Sequence, residues 1–416
     1  MTKTIRMSEG VGGSTAEEQL RVLSDMTGDI TPISDSEFMA RIAKAQKLMQ
    51  EQGVAAIYVN AGTNLYYFTG TRWGASERMV GAIIPAVGAV EYIAPAFEES
   101  TLLEYMRIEG VVRGWQEHES PYALFGDVLS GMGISKGAIG LDEAAPFFLV
   151  DGIQQQNLPY TYQNAKSITA GCRMCKSANE LALLQRAKDM TIEVHKAAAR
   201  ILREGISTTE VTAFIHEAHK VVGAPKGSYF CIVLFGEATA YPHGVKDPQT
   251  LKMGDMVLID TGCQLEGYNS DITRCYVYGE PSDHQRAVWN SEKKAQAAAF
   301  EAAKLGTPAG DVDTAARKAL EEDGFGPEYA VPGLPHRTGH GIGLDIHEWP
   351  YLVRNDRTPL APGMCFSNEP MICIYGSFGV RLEDHFYMTE NGPKWFTTPS
   401  HSIDDPFGLN KTKKPH

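Results

Sequence analysis

Helical and strand spacings alternate along this chain, and the rhythm of their alternation changes once. A polar, Gly/Ser-rich stretch over 1–34 reads as an N-terminal arm with one short helix around 15–26. DSEFMARIAKAQKLMQEQG then sets Phe38, Ile42, Ala45 and Met49 at helical intervals and stops at Gly53. VAAIYVN (54–60) has the pattern of a buried strand, followed by the turn AGTN and the apolar LYYFTG. Further strands are expected at 80–86, 89–95 and 138–143, with helical stretches between them. Strands alternating with helices predict a small α/β domain over 35–168.

Beyond it the order becomes helix pair, then strands. Ser177-Ala-Asn-Glu180 is a capping box opening a long helix that closes near Gly205, and Ser207-Thr-Thr-Glu210 opens a second. Strand patterns CIVLFG (231–236) and MVLIDTG (256–262) follow. A second helix pair then leads into short strands rich in Gly, Pro and His. The repeated order hints at an internally duplicated α+β domain over 169–405, with 406–416 as a solvated tail.

Length agrees with two domains, because 416 residues exceed one ordinary core. A formal net charge of -13 argues against a nucleic-acid partner. No apolar stretch behind Lys3 and Arg6 forms a secretory signal, and no run approaches the ~20 apolar residues of a membrane helix. Seven cysteines, an odd number, speak against a disulfide framework and fit a reducing cytoplasm. Cys172 and Cys175 form a lone CxxC without a second ligand pair, so it reads as incidental.

The candidate chemistry lies in the second domain. Asp260 ends the apolar LID, and Asp271 follows eleven residues on, with Gly262 and Gly267 between. Burying such aspartates is costly unless they are paired or metal-bound, and two arms of a hairpin would place them about 5 Å apart. That spacing suits a co-catalytic metal pair, whose ions lie ~3.5–4 Å apart; turn-capping aspartates are the alternative. His340 stands among glycines in GHGIG, Glu369 precedes Pro370 in SNEP, and Glu383 follows in VRLED. Four carboxylates and one imidazole form a hard ligand set suited to Mn(II), Co(II), Fe(II) or Zn(II). Their charge would balance two divalent cations.

In that order, IDTG, SDITR, GHGIG, NEP and RLED resemble the superfamily of methionine aminopeptidases, aminopeptidases P and prolidases. NLYYFTG (64–70) resembles the N-terminal domain of its proline-specific branch. The resemblance implies a C-terminal pita-bread metal domain, behind the smaller α/β domain, that hydrolyses the bond before proline. Dipeptides are the expected substrates; longer Xaa-Pro peptides or a non-peptide small molecule are the alternatives. It implies that Asp260 holds one ion, His340 and Glu369 the other, and Asp271 and Glu383 both. The ions, most simply Mn(II), would acidify a bridging water, with Glu369 as general base. His347, His243 and His336 match histidines that face the substrate. Arg381 would orient the carboxylates or clamp substrate, and Arg357 would contact its proline end. A homodimer is implied, with Trp73 and Tyr66 as candidate lid residues.

Overall fold

The spacing of Phe38, Ile42, Ala45 and Met49 is realised as the helix Asp35–Gln52, which buries all four. Ser34 accepts a hydrogen bond from Glu37 N at its start, and Gly53 ends it in the left-handed conformation. The structure, a computed structural model, describes residues 7–412; the expectations for 1–6 and 413–416 lie outside the described residues. The described chain divides into two compact units, one spanning Pro32–Arg173.

In that unit, strands β1 (Val54–Asn60), β2 (Gly81–Pro85), β3 (Glu91–Pro95), β4 (Val111–Trp115), β5 (Gly137–Leu141) and β6 (Tyr160–Asn164) form one sheet. Its order is β4-β3-β2-β1-β5-β6. Pairing is antiparallel at β1–β2 and β2–β3 and parallel elsewhere. Tyr58, Ile83, Phe125 and Ile139 share its core. The apolar NLYYF segment is helical (Thr63–Thr69), and Gly70 turns the chain where a Cβ would meet the Phe38 ring at 2.7 Å. Tyr66 packs edge-on to Phe38 and Trp73 to Tyr105. All seven cysteines are free, and burial pushes the Cys172 thiol up to about 12.

The other unit joins residues up to Thr31 to the chain from Met174 onward. Its first half has the helices Ala178–Arg200 and Thr208–Val221, both opened by the expected capping boxes. They lie with strands β7 (Ser228–Phe235), β8 (Met256–Leu265), β9 (Tyr268–Asn269) and β10 (Ile272–Val277). The second half repeats the plan with helices Asp283–Ala302 and Ala309–Glu322. Its strands are β11 (Gly339–Gly341), β12 (Glu348–Leu352), β13 (Cys365–Asn368), β14 (Met371–Ile374), β15 (Phe378–Arg381), β16 (Asp384–Thr389) and β17 (Gly392–Trp395). The sheets run β10-β8-β7 and β12-β11-β13-β16-β17, with β14 and β15 paired beside them. Leu258, Val277, Trp289, Phe366, Val380 and Phe386 share one core beneath both halves. This is the α+β pita-bread fold.

The described part of the leading segment does not stand apart as an arm. Glu9 N bonds Asp404 O (2.7 Å), Gly12 N bonds Ala199 O (2.9 Å) and Met26 N bonds Val222 O (3.0 Å). Nor is the whole expected tail solvated: Pro406 is buried, and Phe407 packs edge-on to Tyr276.

Candidate metal centre

The β8–β10 hairpin sets Asp260 opposite Thr273, with Asp271 one residue before β10. Gly262 lets its arms close, because a Cβ there would lie 1.8 Å from the Ser270 carbonyl oxygen. In the other half, His340 sits at the middle of β11. Asn368 pairs with Asp384, so Glu369, just past β13, and Glu383, just before β16, flank one end of that ladder. Gly339 repeats the close approach, 2.1 Å from the Ser367 carbonyl oxygen for an added Cβ. Glu383 N donates to Thr273 O (3.2 Å) and joins the halves beside the acids. Asp260, Asp271, His340, Glu369 and Glu383 thus converge on one place.

Their partners hold them as acceptors. His340 Nδ1 faces the Gly341 carbonyl oxygen at 3.0 Å, so it carries the proton and leaves Nε2 with a lone pair. That Nε2 lies 3.0 Å from Glu369 Oε1 and 3.6 Å from Asp271 Oδ2. Ser367 Oγ accepts from His340 N (2.9 Å) and donates to Glu369 Oε1 (3.1 Å). Arg381 donates to Asp260 Oδ2 (2.5 Å), Thr273 Oγ1 (3.1 Å) and Pro242 O (3.0 Å). Thr273 in turn donates to Glu383 Oε2 (2.8 Å). Asp260 Oδ1 and Asp271 Oδ1 are buried without a hydrogen-bond partner. Lone pairs facing lone pairs in a buried site demand a cation or a proton.

The acids feel that demand. Burial and the charges of Glu383 and Asp260 push Asp271 well above the usual carboxylate range, and burial with Glu369 and Asp260 does the same to Glu383. Burial raises Asp260 despite Arg381. Burial opposes ionisation of Glu369; without a metal, a proton on His340 Nε2 outweighs that by hydrogen bond and charge and holds the carboxyl low, in the place where a cation would otherwise sit. The residues therefore fit divalent cations, and ligand atoms of His340, Glu369 and Glu383 lie within 4.8 Å of one another.

A cleft of about 810 Å³ opens over Asp260, Asp271 and Glu369. His243, His336 and His347 stand on its walls, and the His347 ring lies 4.1 Å from that of His340. His336 Nδ1 donates to the Arg337 carbonyl oxygen (2.7 Å). Tyr229, Tyr241 and Tyr375 form an exposed aromatic rim.

One assignment is corrected. Arg357 lies exposed on the loop after β12, outside this lining, because Asp356 turns the backbone there by accepting from Tyr351 N and Thr358 N. Arg337 lines the cleft instead. His385, two residues past Glu383, was also missed; its Nε2 lies 3.2 Å from Glu383 Oε1, and its Nδ1 is buried without a partner. The alternation of Glu383 and His385 along the chain was the available signal. Nothing local marks Tyr229 or Tyr375.

Residues 182–390, half of the chain and all five converging side chains, match the model of metallopeptidase family M24. The chain belongs to this family. It is an M24 metallopeptidase, an enzyme class that works with divalent metal. Residues 41–175 match the creatinase/prolidase N-terminal domain. Among similar M24 chains, a protein named putative dipeptidase YkvY from Bacillus subtilis is 34% identical, over 85% of this chain and 96% of its own length. The Xaa-Pro dipeptidase of Pyrococcus furiosus is 32% identical, over 86% and 97%. The crystal structure of dipeptidase PepE from Mycobacterium ulcerans superposes with a TM-score of 0.80 at 32% identity, over 89% and 98%. No helix among the described residues is long and apolar enough to cross a membrane.

Proposed function

We propose that this M24 metallopeptidase is a Xaa-Pro dipeptidase with two divalent ions in its centre, most simply Mn(II). The observation that carries the reading is the buried ring of acceptors, His340 Nε2 with carboxylate oxygens of Glu369 and Asp271, under a cleft walled by three imidazoles. Asp260 would hold one ion, His340 and Glu369 the other, and Asp271 and Glu383 both. Bound ions would polarise the scissile carbonyl and acidify a water.

The chain's own groups do the rest. Glu369, whose Oε1 accepts a hydrogen bond from the Ser367 hydroxyl, accepts the proton of the attacking water. His347 donates to the oxygen on which charge develops. His243 and His336 position the peptide from the walls. Arg381 serves as a positioning residue, since its N–H groups hold Asp260 and Thr273. Dipeptidase names among relatives that match nearly end to end support the substrate class.

The test is a kcat/KM series on Ala-Pro, Ala-Pro-amide and Ala-Pro-Ala. Ala-Pro should be cleaved at least ~10-fold better than the others, the value of one charge-assisted contact. Equal or faster cleavage of the tripeptide would move the protein to aminopeptidase P chemistry. Cleavage of none would remove proline specificity.

A further inference from the structure

We propose that Arg337 is the residue that reads the free carboxylate at the C-terminal end of the substrate. The proposal rests on the dipeptidase reading and deepens it, because it gives the cleft a means of requiring a carboxylate one residue beyond the cleaved bond.

Two arginines line the cleft. Arg381 is buried, and its N–H groups are committed to Asp260, Thr273 and Pro242 O. Other arginines of the same unit are committed too: Arg274 to Asp384 and Arg317 to Asp313. Arg337 differs. Its guanidinium lies 4.4 Å over the Tyr351 ring, and among the described residues it makes no side-chain hydrogen bond or ion pair. A half-buried cation with no counter-charge therefore stands on the wall of a binding cleft.

Its placement is fixed by the backbone. On one side, Thr338 N and Oγ1 both donate to Asp313 Oδ1 (3.0 and 2.8 Å). On the other, the Arg337 carbonyl accepts from His336, and the His336 carbonyl accepts from Arg317. The side chain thus rises from a rigid segment onto an aromatic face, so little freedom is lost on binding. A guanidinium held by the face of a ring keeps its N–H edge for a planar acceptor, and a carboxylate meets that fork with two parallel bonds. In the loaded floor the four carboxylates balance two divalent ions, so no counter-charge is left there for a substrate carboxylate; Arg337 offers one on the wall, near His347.

The experiment compares the best-cleaved dipeptide with its C-terminal amide, whatever residue follows the bond. In Arg337→Met the kcat/KM ratio of acid over amide should fall about tenfold, with the loss in KM for the acid, and Arg337→Lys should recover part of it. Metal content should match the wild type. A wild-type preference for the acid that persists in Arg337→Met would overturn the assignment and leave the dipeptidase reading standing. Wild-type indifference to the amide would overturn both. Should Arg337→Met not fold, Tyr351→Leu keeps the charge but removes its platform; it must raise KM for the acid more than for the amide, and equal effects overturn the proposal.

Discussion

His347 and His340 are neighbours with different surroundings. His340 is buried with its Nδ1 proton fixed on a carbonyl, whereas His347 stands on the exposed cleft wall. Partial burial first, then the neighbouring His340 ring and the Arg337 guanidinium, bring the His347 imidazole down to about 4. It is neutral above that pH, with one N–H to offer. His347→Ala should lower kcat by about 10²–10³-fold, the cost of one oxyanion donor, with both metals retained. Loss of metal in that variant would place His347 among the ligands, which its closeness to Asp271 and His340 permits. Asp260, Asp271, His340, Glu369 and Glu383 were legible because each sits in a short segment whose neighbours are unusual for an ionisable residue. Arg357 was misplaced because a lone arginine carries no local sign of where its loop runs. Arg337 lay unnoticed between two histidines for the same reason.

At the scale of elements, the ligand-bearing strand ends depend on a helix behind them. From Asp283–Ala302, Gln296 Nε2 reaches the carbonyls of Leu382 (3.1 Å) and Asn368 (3.4 Å) and Asp384 Oδ2 (3.2 Å). Asn368 Nδ2 returns a bond to the Gln296 carbonyl (2.9 Å). One amide therefore ties the residue before Glu369 to the residue before Glu383. Gln296→Leu leaves those acceptors buried and unpaired, at a cost of about 1–3 kcal/mol. Thermal melts should show that loss, and a metal titration should show weaker binding, because the strand ends are freed together. Unchanged metal affinity would mean that the helix only covers the sheet. The major helices were legible from capping boxes and 3.6-residue spacing. The strands from β11 onward were legible as a group of short strands but not in their individual bounds, since segments of three to six mostly buried residues set no clear period. The NLYYF helix was not recognised either, since a seven-residue apolar segment does not separate helix from strand.

The proposed ligands come from two halves of the unit, two aspartates from the first and a histidine and two glutamates from the second. Without cations the acids repel each other across that seam, so loading should affect activity and stability together. Chelation should abolish hydrolysis and lower Tm, and Mn(II) or Co(II) should restore both; ions at 100-fold their Kd would add about 2.7 kcal/mol. Full activity in a preparation shown by elemental analysis to be metal-free would falsify the proposed centre. The duplicated rhythm was visible in the sequence. How the halves meet was not, because their contacts, Glu383 N with Thr273 O, Thr273 with Glu383 and Arg381 with Asp260, join residues more than a hundred positions apart with no local pattern to mark them. The leading segment is held partly the same way, by backbone bonds to Ala199 and Val222, and partly by Ser8 Oγ on the Ile403 carbonyl and an Arg186–Asp29 ion pair.

The spread of ligands from Asp260 to Glu383 has a consequence for how the protein is made. A nascent chain that has emerged through β10 carries the aspartates but none of the other three ligands. Its first sheet still lacks the second-half residues, Phe366, Val380 and Phe386, that share its core, and its site is incomplete. Only when the chain has emerged past β15 to Glu383 are all five proposed ligands present. The proposed centre is therefore incomplete through most of the chain's own synthesis, and the peptidase is latent until its second half has emerged.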